Sequence, residues 1–270
     1  MLNNKKCNKC QNVYDNALNE CPNCHEPNMD QNPSFKNMQM LSLPKQIALF
    51  VMGLGGLELV AFIVAFIFNA TGIISWNESL VDMLFETICY SITAICLFAI
   101  LNKDTLKLAK SFKKLRPIIA GLVCCLAIFA FNFIYSLILS LTGAPISIGQ
   151  NQGDIDKTAM SFPFTSLIIF GIVGPICEEI TYRVGLFSFL KRVSKWVAYP
   201  ITMLVFALIH FGFTSGNLVN ELLNLPFYLF AAFALTYTYD KYGFAGSLTA
   251  HLLNNVISLI PFAVAVGVFH

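Results

Sequence analysis

The chain has 270 residues, 56% of them hydrophobic and 12% charged, with a formal net charge of +2. Soluble domains carry about 25% charged residues, so the composition argues for a membrane protein and against a water-soluble globular one. A charge this close to neutral calls for no nucleic-acid partner.

The N-terminal segment is polar. "CNKC" at Cys7–Cys10 and "CPNC" at Cys21–Cys24 form two close thiol pairs separated by ten residues. Four thiolates so spaced can wrap one tetrahedral Zn²⁺. About 25 residues cannot build a core of their own, so the metal must supply most of the folding energy. Residues 1–25 therefore read as a zinc ribbon with Cys7, Cys10, Cys21 and Cys24 as ligands, a module suited to holding a protein partner. His25–Glu26 does not begin a metalloprotease HExxH motif, because Met29 stands at the second His position. Residues 26–46, with Pro27, Pro33 and Pro44, read as a linker. No cleavable signal peptide is expected, since the first apolar run begins too late for one.

Long apolar runs follow. A bilayer crossing needs about 20 helical residues, and spans are expected near 47–69, 80–101, 117–141, 164–190, 196–211, 219–239 and 244–268. The fold class is thus all-α and polytopic, with about seven or eight transmembrane helices. Residues 47–141 form an N-terminal group, and the 143–160 segment reads as an external loop. Pro261 leaves open whether the last span is one helix or two. Lys45, the run from Lys103 to Arg116, then Lys191, Arg192, Lys195 and Lys241 all fall in alternate loops. That positive-inside pattern predicts a multi-pass protein of the cell membrane with a cytoplasmic N-terminus. It also puts the ribbon thiols in a reducing compartment, against disulfides.

Polar residues inside the later spans stand out. "ICEEITYRV" (Ile176–Val184) places Glu178, Glu179 and Arg183 in an otherwise apolar run. "FALIH" holds Phe206 and His210, and "HLLNN" holds His251 and Asn255. Residues four apart share a helix face, so Glu179 can pair with Arg183, and His251 can sit beside Asn255. At about 1.5 Å per residue, Glu178, His210, His251 and Asn255 lie roughly 18, 21, 11 and 17 Å from the basic ends of their spans. One layer near mid-bilayer can therefore hold them all. A lone intramembrane His or Asn is more often a helix–helix hydrogen bond, but six such groups at matched depth point to a functional site. Glu58, Asp82 and Glu86 have no comparable company and read as interior-facing, neutral or locally paired. Cys177 beside Glu178 reads as a buried apolar filler rather than a nucleophile.

EExxxR, FxxxH and HxxxN, in this order and each on a predicted span, resemble the three motifs of the CPBP or Abi family. That family comprises type 2 CAAX prenyl proteases and bacteriocin-processing and self-immunity proteins. The resemblance covers about Ser161 to Phe262, within the expected protease core, residues 161–270. It implies an intramembrane endopeptidase acting on peptide or membrane-protein substrates. Glu178 and His210 would activate water, His251 and Asn255 would stabilise the oxyanion, and Glu179, Arg183 and Phe206 would support them. The residues leave open whether Glu178, His210 and His251 also hold a catalytic metal, since Glu and His are ordinary Zn²⁺ ligands; the metal-free reading is preferred. Two other functions compete. One is a non-catalytic membrane scaffold or bacteriocin-immunity protein of the same fold, against which the intact motifs argue. The other is a transporter, for which no inverted repeat is visible.

Overall fold

The computed structural model describes residues 4–7, 9–16, 18, 20–26, 28 and 41–265. Most of the expected linker, and the last residues of the final expected span, lie outside the described residues.

Strands β1 (Asn4–Lys6) and β2 (Val13–Asp15) pair antiparallel, with Lys5 opposite Tyr14. A lone hairpin is marginal in water. Its buried centre consists of Cys7, Tyr14 and Cys21, with Cys10 and Cys24 packed against them.

Eight helices follow among the described residues: α1 (Leu43–Thr71), α2 (Glu78–Ser111), α3 (Leu115–Leu141), α4 (Gln150–Ser161), α5 (Pro163–Lys191), α6 (Lys195–Ile209), α7 (Leu218–Tyr242) and α8 (Phe244–Ala265). Their ends follow local chemistry. Pro44 stands in the first turn of α1, where a missing N–H costs nothing. Gly72 closes α1 in the left-handed conformation, at φ 77°. Asn77 caps α2 by accepting the Leu80 N–H at 3.1 Å.

Six of these helices, α1, α2, α3, α5, α7 and α8, are long and apolar enough to cross a membrane. The chain is a mostly helical, multi-pass membrane protein. The expected 196–211 span forms the apolar helix α6 instead, and α6 has 15 residues. At about 1.5 Å per residue it reaches roughly 22 Å, short of a hydrocarbon core of about 30 Å. The helix α4, which is polar, stands where a loop was expected. α8 continues through Pro261 to Ala265 as one helix.

The basic residues gather at one end of the bundle. Lys45 donates to the Leu101 carbonyl at 3.0 Å and pairs with Asp104. Arg192 bonds Gln46 at 2.8 Å and the Leu41 carbonyl at 3.0 Å, and Lys191 pairs with Asp240. At the opposite end the start of α7 clasps the segment leading into α4. Asn220 accepts the Ser147 N–H at 2.8 Å, Asn224 donates to the Ser147 carbonyl at 3.0 Å, and Glu221 accepts the Gln150 N–H at 2.9 Å.

α5 runs through the middle of the molecule. All nine residues of its Glu179–Phe187 stretch are buried, and that stretch is wound as a π-helix. A second π turn, Ile169–Val173, precedes Pro175, which cannot donate a helical bond. α1 lies so close to α5 that a Cβ on Gly53 would fall 1.8 Å from the Thr181 hydroxyl. α3 and α8 touch in the same way, Gly121 lying against the Gly246 carbonyl. Small residues are what allow such approach between membrane helices.

Candidate active site

Glu178 and Glu179 are neighbours in sequence but face different surroundings. Glu179 is wholly buried. Its Oε1 lies 3.0 Å from Arg183 Nη1 and 2.8 Å from His251 Nδ1. Its Oε2 accepts from the Ser247 hydroxyl. The Arg183 guanidinium, also fully buried, lies over the Phe206 ring at 4.5 Å from the centroid. Cation–π contact of this kind is strongest when desolvated.

Glu178 instead lines a cavity of about 530 Å³, together with His210, His251, Asn254 and Asn255. Its side chain keeps 15% of its surface exposed, and its Oε2 has no hydrogen-bond partner. Successive helical residues point about 100° apart, so one carboxylate enters the packed interior and the other enters the cavity.

The F-x-x-x-H spacing has a local cause. His210 is the C-cap of α6, and its N–H bonds back to Ala207 rather than to Phe206. The Phe206 carbonyl would be an orphan of the last turn. His210 Nδ1 meets it at 2.7 Å. A carbonyl only accepts, so Nδ1 carries the proton, and in the neutral ring Nε2 is bare. The Phe206 ring lies 4.7 Å from the His210 ring, and Tyr228 stacks on His210 at 5.0 Å and 25°.

His251 bridges the two carboxylates. Nδ1 faces Glu179 at 2.8 Å, and Nε2 lies 3.6 Å from Glu178 Oε2. Asn255 lines the cavity one turn further along α8, but its amide already donates to the Phe170 carbonyl at 3.0 Å. Its oxygen accepts from Asn254 at 3.1 Å. One of its two N–H groups is therefore engaged, a constraint on the expected oxyanion role.

The sequence reading undervalued parts of this cavity. Asp82 and Glu86 line it, with Tyr90, from α2; Asn151, Asp154 and Lys157 line it from α4. Lys157 bonds Glu78 at 2.6 Å, and that partner raises its pKa above the usual lysine value. Glu58 is exposed on α1 rather than interior-facing. Asn254 sits beside a motif residue and was the one missed group with a sequence signal. Tyr228 and Glu221 carried none that stood out from their helix.

Among the described residues, Cys7, Cys10, Cys21 and Cys24 are the group of metal-ligating side chains whose donor atoms lie within 4.8 Å of one another. Glu178, His210 and His251 do not form such a group, so the catalytic metal that the residues left open has no ready-made donor set there. The thiols are free. The Cys7–Cys24 and Cys10–Cys21 sulfur separations are 3.6 and 3.5 Å, far beyond a disulfide bond of about 2.05 Å. Cys10 is pushed down to about 6 by the Asn23 side chain and the Asn12 backbone N–H. Cys24, although the Glu26 backbone N–H lowers it, ends at about 12 through burial and its neighbours Cys10, Cys7 and Cys21. Four sulfurs without a cation cannot all hold charge, whereas a metal ion would remove that conflict.

Residues 160–257 match the family model described as type II CAAX prenyl endopeptidase, Rce1-like. That segment of the chain is similar to this family. The matched segment holds Glu178, Glu179, Arg183, Phe206, His210, His251 and Asn255, while the cysteine cluster, which fits a zinc ribbon, lies outside it. Three bacterial proteins are similar over longer or overlapping stretches. An uncharacterized protein of Mycoplasma capricolum subsp. capricolum is 24% identical over 209 residues, 72% of this chain and 59% of that one. The UPF0177 protein YvdC of Lactococcus lactis subsp. lactis is 26% identical over 136 residues, 49% of each chain. YxdF, a UPF0177 protein of the same organism, is 30% identical over 112 residues, 42% of this chain and 58% of that one. The chain thus spans about half to three-fifths of the length of the curated relatives it matches. No solved structure matches.

Proposed function

We propose that the chain is an intramembrane endopeptidase that hydrolyses peptide bonds with a water activated by Glu178 and His210. The observation that carries this reading is Glu178 lining a polar cavity with two histidines, its Oε2 without a hydrogen bond and 3.6 Å from His251 Nε2. Glu178 takes a proton from water while the bare Nε2 of His210 orients it. The hydroxide adds to the scissile carbonyl. His251, acting throughout as an imidazolium with Nδ1–H on Glu179, and the second N–H of Asn255 donate to the oxyanion. Glu178 then returns the proton to the leaving amine as the C–N bond breaks. Glu179 and Arg183 hold His251 and the helix in place and touch no substrate.

Toward the end of the bundle away from the basic loops, the cavity is walled by α4 and the first turns of α2. With a cytoplasmic N-terminus, that end faces outward. The favoured substrates are therefore secreted or membrane-tethered peptides rather than prenylated cytosolic proteins. The test is peptidomics of a null strain rescued with the wild type or with Glu178→Gln. A peptide released by the wild type and lost with the variant supports the reading; identical peptide profiles return the chain to the scaffold function.

The ribbon is proposed to hold one Zn²⁺ and to bind a protein partner. Zn–S bonds of about 2.3 Å in a tetrahedron set sulfurs about 3.8 Å apart, close to the separations seen. Protons compete with metal for thiolates. Cys10 is depressed, so its contribution is present above its unfolded pKa and is lost as pH falls through about 6. Zinc affinity should accordingly fall as the pH is lowered from about 7, measured by competition with a chromogenic chelator on the full chain. An affinity independent of pH would exclude a thiolate site.

A further inference from the structure

A second groove, of about 650 Å³, lies between α3 and α7 and takes no part in the proposed reaction. Its floor is made of small side chains, Ala120, Cys124 and Ala234, and its rims carry bulky ones such as Ile119 and Phe233. It runs along α3 from Leu115 to Ala127, about 18 Å at about 1.5 Å per residue. One leaflet of a hydrocarbon core about 30 Å thick has a similar depth.

The groove ends in charge. Arg116 lines its basic end and lies 5.8 Å from the Tyr242 ring centroid, with no carboxylate within ion-pair distance among the described residues. Asp240, two residues before Tyr242 on α7, is held by Lys191 and accepts from Tyr199 at 3.2 Å. Lys113 and Lys114 are exposed on the approach to α3. A leaflet-deep apolar slot closed by an unpaired guanidinium complements one kind of molecule: an acyl chain carrying an anionic headgroup.

We infer that this groove is a binding site for a single anionic phospholipid, its chain between α3 and α7 and its phosphate on Arg116. Basic pockets between membrane helices bind acidic headgroups in this way, and Arg meets phosphate with a two-pronged donor set that Lys lacks. The site also adjoins the catalytic support. Cys124 and Ala234 belong to one buried cluster with Leu235 and Ala250, and the Leu235 carbonyl accepts from Ser247, whose hydroxyl also meets Glu179. A filled groove should therefore stiffen the Glu179 side of α5.

The test is native mass spectrometry of the delipidated full chain. It is titrated separately with dioleoyl phosphatidylglycerol, dioleoyl phosphatidylcholine and inorganic phosphate. One phosphatidylglycerol should bind about five-fold more tightly than phosphatidylcholine, the preference that one cation near the surface confers. Arg116→Gln should remove that preference. Ala120→Phe should weaken both lipids by filling the floor; Val123→Trp, on an exposed rim position, is the second filler should the first fail to fold. The same binding for both lipids, or a preference unchanged in Arg116→Gln, would overturn the proposal. So would displacement of the lipid by phosphate alone, which would leave a headgroup site without a chain.

Discussion

The two faces of α5 around residue 178 are built in opposite ways. On the Glu179 face the charges are paired: carboxylate, guanidinium, imidazole and hydroxyl lie in contact, and the Phe206 ring covers a guanidinium whose nitrogens make no hydrogen bond. On the Glu178 face a carboxylate oxygen, a histidine nitrogen and several amides surround space. Both faces sit at a depth where a lone charge is costly. A closed face meets that cost by pairing and can serve only as structure. An open face meets it by admitting water or substrate, and that is what a reaction needs.

The largest expected effect breaks this comparison at its open side. Glu178→Gln keeps the shape and removes the base, so cleavage by the purified protein should fall about 10²–10⁴-fold. The melting temperature should stay close to that of the wild type, because no packed partner is lost. A folded variant cleaving at the wild-type rate would show that the open face is not catalytic. On the closed side the expectation is reversed. Arg183→Ala leaves Glu179 buried without its cation, a change that costs about 3–5 kcal/mol. Glu179→Gln/Arg183→Met should recover part of that loss, since an apolar replacement of a buried pair is often tolerated. Thermal unfolding in detergent measures both; equal losses for the single and double variants would dissolve the distinction between the faces.

Ser247→Ala sharpens it. The hydroxyl has one proton for Glu179 Oε2 and for the Leu235 carbonyl, 3.0 Å away. Its removal takes away one bond to a charged group, about 1.5–3 kcal/mol of stability, without touching the cavity. Turnover per folded molecule should change less than about threefold. A loss of turnover without a loss of stability would place Ser247 on the open side.

Much of this division could be read in advance. Glu179 and Arg183 stand four residues apart, so their pairing followed from helical geometry alone, and the different surroundings of the adjacent glutamates followed from the same rotation. The Cys pairs declared themselves by spacing. What escaped was whatever depends on where chains end or on distant neighbours. α6 stops at His210 because the side chain there satisfies a terminal carbonyl, and an apolar composition gives no sign of that. α4 is too polar to look like a packed element. It becomes one only because Asn220, Glu221 and Asn224, about seventy residues later, supply its anchors. Asp82 and Glu86 looked isolated because their company on the cavity wall comes from α4.

The anchor of α4 gives the last and smallest prediction. Glu221 is a closed carboxylate in service of the open site. It is 2% exposed, with Oε1 accepting the Gln150 N–H at 2.9 Å and Oε2 the Gly212 N–H at 3.0 Å. These two bonds tie the start of α4 to the turn after α6, so they fix the outer wall of the cavity beside His210. Glutamine has one acceptor oxygen, and its amide nitrogen would face an N–H. Glu221→Gln should therefore lose one charge-assisted bond, about 1.5 kcal/mol at the low end of its range. Because the loss is local, it should appear as roughly ten-fold faster hydrogen exchange at Gln150 or Gly212. Exchange in the α5 π-helix and the melting temperature should barely move. Substrate binding should weaken more than turnover slows, since the wall positions the peptide and does not touch the proton transfer. If turnover instead collapses as it should in Glu178→Gln, the division fails from the other side, because a paired and buried carboxylate would then be part of the chemistry.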